Sequence, residues 1–176
     1  MSCKLWCGST LFLLVIVAGC SRTSSLTPTG PPGNSLHVVD QVIVHKAQRR
    51  LFLMHGGEIV RSYPVKLGLM PSGQKDRAGD NKTPEGSYQL GRRNPQSDYF
   101  LSIDVSYPNQ SDLERARQHH WDPGGAIEIH GQPIHPSHDS NYYSHDWTDG
   151  CIAVANADMA EIWTLIPENV SIEITP

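Results

Sequence analysis

The sequence predicts a mainly β domain, with a sandwich or barrel-like core and one or two peripheral helices. Three observations carry that expectation. Short runs rich in Val, Ile and Leu recur along residues 37–106, separated by turn-forming residues, which is the pattern of strands. Two further runs of this kind lie at 126–129 and 171–174. Only two stretches, 109–120 and 156–166, read as helices.

Residues 37–45 (HVVDQVIVH) form the first expected strand, and 46–50 a turn. Residues 51–55 and 58–65 are the next two strands, with Gly56-Gly57 supplying a tight hairpin turn between them. Together these strands make an antiparallel meander. Residues 68–86 hold six Gly or Pro among polar residues. A loop of that length in a compact domain usually carries function. Strands follow at 87–90 and at 101–106, where Leu101, Ile103 and Val105 alternate with polar residues. In the helix at 109–120, Asp112, Glu114, Arg115 and Arg117 suit a solvated face. Residues 122–125 (DPGG) turn the chain into the strand at 126–129. Asn156 is placed to cap a helix whose apolar positions Met159, Ile162, Trp163 and Ile166 follow helical spacing. A last strand covers 171–174.

The first twenty residues read as an export signal. Lys4 supplies a short basic region, and the apolar run at 11–18 is shorter than the roughly 20 residues that cross a bilayer. The ending Val17-Ala18-Gly19-Cys20 resembles the lipobox of bacterial lipoproteins. That resemblance implies cleavage before Cys20, lipidation of its thiol and a membrane anchor; an ordinary cleaved signal or an uncleaved anchor is the alternative. Ser21 in the next position implies the outer membrane, and so the periplasmic face of the cell envelope. Residues 21–35, rich in Ser, Thr, Pro and Gly, cannot pack a core and read as a flexible tether. Residues 36–176 then form one domain.

The chain carries a formal charge of −4, and −5 without Lys4. It has no basic block of five residues, so a nucleic-acid partner is not indicated. Its four cysteines are Cys3, Cys7, Cys20 and Cys151. With the signal removed and Cys20 lipidated, Cys151 has no partner for an internal disulfide. An oxidising compartment favours paired cysteines. The lone thiol is therefore either a reactive group or a small buried hydrophobe.

The sequence around it favours reactivity. Residues 127–154 read IEIHGQPIHPSHDSNYYSHDWTDGCIAV. A strand ends in His130-Gly131, and Thr148-Asp149-Gly150-Cys151 runs straight into Ile152-Ala153-Val154. A thiol of ordinary pKa near 8.5 is only a few per cent ionised at neutral pH, so a nucleophilic Cys151 needs a base such as His130 to form a thiolate–imidazolium pair. Gly150 and Gly131 leave room for a substrate, and backbone N–H groups at Gly150 and Cys151 can hold an oxyanion. The expected chemistry is acyl transfer through a thioester. Gly131, Tyr143, Trp147 and Thr148 are the expected substrate-binding residues, with Tyr142, Tyr143 and Trp147 as a lid. The histidines at 130, 135, 138 and 145 raise a rival metal site, but their spacings match no standard zinc motif, so no metal is expected. Asp149, beside the thiol, would disfavour a thiolate by like charge, unless it points away. Arg61, Lys66 and Arg92 read as solvated surface, and Arg93 has no clear role.

Taken in order, residues 42–68 (VIVHKAQRRLFLMHGGEIVRSYPVKLG), Lys82-Thr83-Pro84-Glu85-Gly86, Ile129-His130-Gly131 and Thr148-Asp149-Gly150-Cys151-Ile152 resemble the L,D-transpeptidase catalytic domain, the YkuD-type family of bacterial cell-wall enzymes. The resemblance spans nearly the whole expected domain. It implies an L,D-transpeptidase-type β core with Cys151 as nucleophile, His130 as general base and Gly150 as an oxyanion donor. It implies attack on the diaminopimelate–D-alanine junction of a peptidoglycan stem peptide, with no cofactor. The acyl group would pass to an amine on another stem or on a lipoprotein lysine. Water as acceptor would make the same site an L,D-carboxypeptidase or an amidase.

Two positions depart from the common pattern, Ser-His-Gly-Cys, then Ile or Val, then Arg or Asn. Asp149 stands in place of the His, and Ala153 in place of the Arg. Residues 146–154 resemble instead the DpaA-like branch of murein L,D-transpeptidases and amidases, which includes a hydrolase that detaches lipoprotein from peptidoglycan. The sequence therefore leaves transferase and hydrolase both open. A non-catalytic wall-binding module is the alternative from another class.

Overall fold

In β1 (Gln41–His45) every second side chain is buried, because successive side chains of a strand point to opposite faces. Seven strands follow: β2 (Arg50–His55), β3 (Glu58–Pro64), β4 (Gly86–Ser97), β5 (Phe100–Val105), β6 (Glu128–His130), β7 (Ile152–Ala153) and β8 (Ser171–Thr175). Helix α1 (Gln110–His119) lies between β5 and β6, and α2 (Asn156–Leu165) between β7 and β8. The computed structural model describes residues 39–135, 137–138 and 141–176. The expected signal, the tether and Cys20 lie outside the described residues.

The strands form one mixed sheet in the order β3-β2-β1-β8-β4-β5-β6-β7. β1, β2 and β3 are the expected antiparallel meander. β8 does not join its neighbour in sequence. It inserts between β1, to which it is parallel, and β4, to which it is antiparallel. This register aligns Leu53, Val42, Ile172 and Tyr88 across four strands, and all four are buried. Burial of each aliphatic member contributes about 1.5–3 kcal/mol.

The far ends of the sheet also meet. Beyond β3, Lys66 and Ala153 exchange two backbone hydrogen bonds of 2.8 Å; Thr148 N donates to Leu67 O, and Leu69 N to Thr148 O. These bonds join the β3 end to the β7 end, which gives the sheet its barrel-like closure. They also set one flank of the Gly150-Cys151 turn.

Three local expectations change. β4 runs twelve residues, well past the predicted 87–90. Register shifts let its first part pair with β8 and its later part with β5; bulges of this kind bend a strand. The segment Arg92-Arg93-Asn94-Pro95 hid this extension because it has no apolar alternation. Asp112 is not solvated. It is buried as the third residue of α1, completes a capping box with Asn109, and accepts from Tyr88 Oη at 3.0 Å. Arg93, which had no clear role, fastens α2. Its guanidinium sits 4.1 Å from the Trp163 ring centroid and donates to the carbonyls of Trp163 and Ile166. A cation there also complements the negative end of the helix.

Replacing Ile172, fully buried at the centre of the row, by Ala should lower the unfolding free energy by about 2–5 kcal/mol. Replacing Ile59, 60% exposed on β3, by Ala should change it by less than about 0.5 kcal/mol. Urea unfolding monitored by circular dichroism reads both, and equal effects would contradict the register.

Candidate active site

Strands β5, β6 and β7 have two faces. Ile103, Ile129 and Ile152 stand in register on one of them and belong to the hydrophobic core. Alternation therefore assigns Ser102, Asp104, Glu128, His130 and Ala153 to the other. Cys151, one step ahead of β7, shares the parity of Ala153. His130 and Cys151 thus stand on the same face of adjacent parallel strands. Both line a cavity of about 590 Å³, together with Lys75, Tyr99, Glu128, Trp147 and Asp149.

The imidazole of His130 is buried, and its Nδ1 lies 2.7 Å from Gly131 O. A carbonyl oxygen only accepts, so Nδ1 carries the proton and Nε2 keeps the basic lone pair. The rings of Tyr99 and Trp147 stand 4.5 and 5.6 Å from the imidazole. Burial lowers the pKa of His130, opposed by the Gly131 carbonyl. Burial likewise pushes the Cys151 thiol up to about 11. The Glu128 and Asp149 carboxylates add to this, while the Glu128 backbone N–H and the Lys75 ammonium oppose it. The thiol donates to Ala126 O at 3.4 Å. Both shifts favour a neutral thiol and a neutral imidazole over a preformed thiolate–imidazolium pair. The dry wall disfavours both charges.

The turn that presents Cys151 is fixed from within. Gly150 has φ 139°, and a Cβ there would stand 2.7 Å from the Lys82 carbonyl oxygen. Its N–H, expected to serve an oxyanion, donates to Thr148 Oγ1 at 3.1 Å, and Thr148 Oγ1 donates to Cys151 O at 2.8 Å. Thr148, expected at the substrate, lines the cavity, is largely buried and also braces the turn. Gly131, also expected at the substrate, is buried with its N–H on the carbonyls of Tyr99 and Leu101. A Cβ on Gly131 would stand 2.5 Å from Asn156 Oδ1. Asn156 itself does not cap α2, which starts after Ala155 without a side-chain cap. Its Oδ1 accepts from Gln132 N at 2.7 Å and ties down the segment that follows His130. Ala153, where the resemblance led us to expect an Arg, is fully buried.

The aromatic residues divide between two hollows. Trp147 is buried against His130, and Tyr142 reaches the cysteine cavity. Tyr143 lines an adjoining depression with Ile134, His135 and Trp147, and its Oη accepts from Ser137 N at 2.8 Å. His145 Nδ1 lies near Ser144 Oγ and Asn141 O. Among the described residues, no group of three His, Cys, Asp or Glu side chains gathers as a metal would require.

Three polar lining residues, Lys75, Tyr99 and Glu128, escaped the sequence analysis. Tyr99 sits in the turn between β4 and β5, a turn that became visible only with the full length of β4. Glu128 was counted simply as part of a strand. Lys75 lies in the 68–86 loop, and that loop is an ordered wall. Lys46, buried, donates through Nζ to Gly73 O, Thr83 O and Glu85 Oε1, all within 2.8 Å. Thr83 Oγ1 accepts from Gly68 N at 3.0 Å. The Lys-Thr-Pro-Glu-Gly motif thus packs behind the Gly150-Cys151 turn.

Residues 40–174 match the model of the L,D-transpeptidase catalytic domain, YkuD. The chain belongs to that family. YafK of Escherichia coli (strain K12), a candidate L,D-transpeptidase by its name, is 31% identical over 111 residues, which are 62% of this chain and 38% of YafK. Among solved structures, the helical cell shape determining protein Pgp2 of Campylobacter jejuni is similar, with TM-score 0.58 and 29% identity over 77% of this chain and 47% of that one. Bd1075 of Bdellovibrio bacteriovorus gives TM-score 0.54 and 27% identity over 80% and 51%. The chain thus spans about half or less of the length of these relatives.

A neutral resting pair has a kinetic signature. Alkylation of Cys151 by iodoacetamide should rise about tenfold per pH unit between about pH 6 and 9 without a plateau, because the thiolate fraction climbs toward a thiol pKa of about 11. A rate already level above pH 6 would show a preformed thiolate.

Proposed function

We propose that this chain is a peptidoglycan-modifying cysteine acyltransferase that acts on murein stem peptides through a Cys151 thioester. The observation that carries this reading is the shared placement of Cys151 and His130 on one face of one cavity, with Nε2 of His130 left as the base. The family supplies the substrate class. In the first half-reaction the thiol proton passes to His130 Nε2 as Sγ bonds to the carbonyl carbon at the diaminopimelate–D-alanine junction. Gly150 N–H is committed to Thr148, so the backbone N–H of Cys151 is the oxyanion donor left in the turn. Collapse of the adduct breaks the C–N bond, and His130 returns the proton to the departing D-alanine nitrogen. In the second half-reaction an acceptor amine gives its proton to His130 and attacks the thioester, and the thiolate recovers the proton. Positioned acid–base catalysis of this kind is worth roughly 10²–10⁴-fold.

The acceptor separates transferase from hydrolase. An amine on a second stem or on a wall-linked lipoprotein gives transfer; water gives an L,D-carboxypeptidase, or an amidase that detaches lipoprotein. The Asp149 and Ala153 departures support keeping the hydrolase as the second reading. A purely wall-binding role would leave an imidazole and a thiol that line one cavity without a use.

The lipobox-like ending supports an anchored enzyme at the periplasmic face of the outer membrane, held through Cys20. Cys20→Ala expressed in a bacterial host should leave the membrane fraction, and full retention there would place the anchor elsewhere.

Purified chain incubated with defined muropeptides tests the catalytic assignment. Cys151→Ala should abolish turnover with the fold intact, and His130→Ala should lose about 10²–10⁴-fold. A chelator should leave the rate unchanged, since no step uses a metal. Turnover by Cys151→Ala would end the thiol mechanism.

A further inference from the structure

Resting on that reading, we infer that Lys75 is the residue that binds a substrate carboxylate flanking the scissile bond. Among the described residues that line the catalytic cavity, Lys75 is the one lysine or arginine. Glu128 and Asp149 line the same cavity with the opposite sign. A peptide carboxylate entering there is repelled by those two side chains and attracted by one.

Lys75 is also held as a binding group should be. Its side chain is 4% exposed, and lysine is almost never that buried unless paired. Nζ donates to Asp80 Oδ1 at 2.7 Å and to Arg77 O at 3.1 Å. These account for two of its three N–H donors. Asp80 is itself fixed, accepting from the backbone N–H groups of Asp76, Arg77 and Lys82 at 2.8–3.1 Å. The ammonium therefore does not swing freely. A buried ion pair is weak support for stability, since apolar residues of similar volume often serve as well. Here Lys75, though not Asp80, forms part of the wall of the cavity that holds Cys151. The charge reaches the reacting centre, because Lys75 is among the groups that favour ionisation of the Cys151 thiol.

The position also answers a question raised by the sequence. The family's Arg two residues after the cysteine is absent, and Ala153 in its place is fully buried. Lys75 brings a cation to the cavity from a different element, the 68–86 loop that Lys46 and Thr83 hold in place.

A murein stem tetrapeptide offers two carboxylates beside the cleaved bond: the D-alanine terminus on the leaving side and the diaminopimelate side-chain carboxylate on the acyl side. The test compares the full-length chain on the free tetrapeptide, on its C-terminal amide and on its diaminopimelate side-chain amide. Wild type should lose about 10- to 100-fold in kcat/KM on one amide, as expected for a lost charge-assisted hydrogen bond. Whichever amide suffers names the carboxylate. Lys75→Gln should remove that discrimination, chiefly through KM on the free peptide, while its Cys151 still reacts with iodoacetamide. Lys75→Arg should restore part of it. Equal kcat/KM of wild type on all three peptides would overturn the assignment without any variant, and so would a folded Lys75→Gln that keeps the wild-type ratio. Wild type inert on all three would refute the proposed function, and this inference with it.

Discussion

The site depends on the pairing of two very short strands. β6 and β7 are parallel, with Ile129 beside Ile152 and His130 beside Ala153, and Val154 N closes the ladder on His130 O at 2.9 Å. The side-chain period of a strand is two, so a slip of one residue would carry every side chain to the other face. Cys151 would then leave the His130 side of the sheet and enter the core, and Ile152 would face the cavity. Two features hold the register. Ile129 and Ile152 fill the core with Ile103, and Ala153 is bonded on its other side to Lys66. The closure of the barrel and the alignment of Cys151 with His130 thus share one set of hydrogen bonds.

Burial then sets the chemistry. The wall that orients His130 through Gly131 and packs Tyr99 at a tilt against it also takes water away from His130 and Cys151. Each becomes harder to charge. A neutral thiol is a weaker nucleophile than a thiolate, and is oxidised more slowly. The remaining charges are unevenly divided, with Glu128 and Asp149 raising the thiol pKa and Lys75 opposing them.

Much of the fold was legible because alternation and turn chemistry are local signals. Val42 and Val44, Leu51 and Leu53, and Ile172 and Ile174 each follow period two, and Gly56-Gly57 marks a hairpin. The order of strands was not legible, because nothing in residues 171–175 says that they insert between β1 and β4. β4 was cut short because Arg93 packs on α2 through its charge and its planar face, which no apolar pattern reveals. At the site, the lone Cys and the His at a strand end stood out in the sequence, and the fold sets both on one cavity. Residues with several uses were harder to read. Thr148 and Gly131 sit beside Cys151 and His130 in sequence; Thr148 lines the cavity and also braces the turn, while Gly131 makes room for Asn156. Lys75 and Tyr99 are distant in sequence and reach the cavity only through the folded loop and the β4–β5 turn.

The central claim is that the acyl group passes through Cys151. Rapid-quench intact-mass spectrometry of the full chain with a disaccharide tetrapeptide, followed by peptide mapping, measures that step directly. An adduct equal to the substrate less D-alanine, located on Cys151 and formed at least as fast as D-alanine appears, is the predicted result. D-Alanine release with Cys151 unmodified throughout the time course, or an adduct on another residue, would contradict the account.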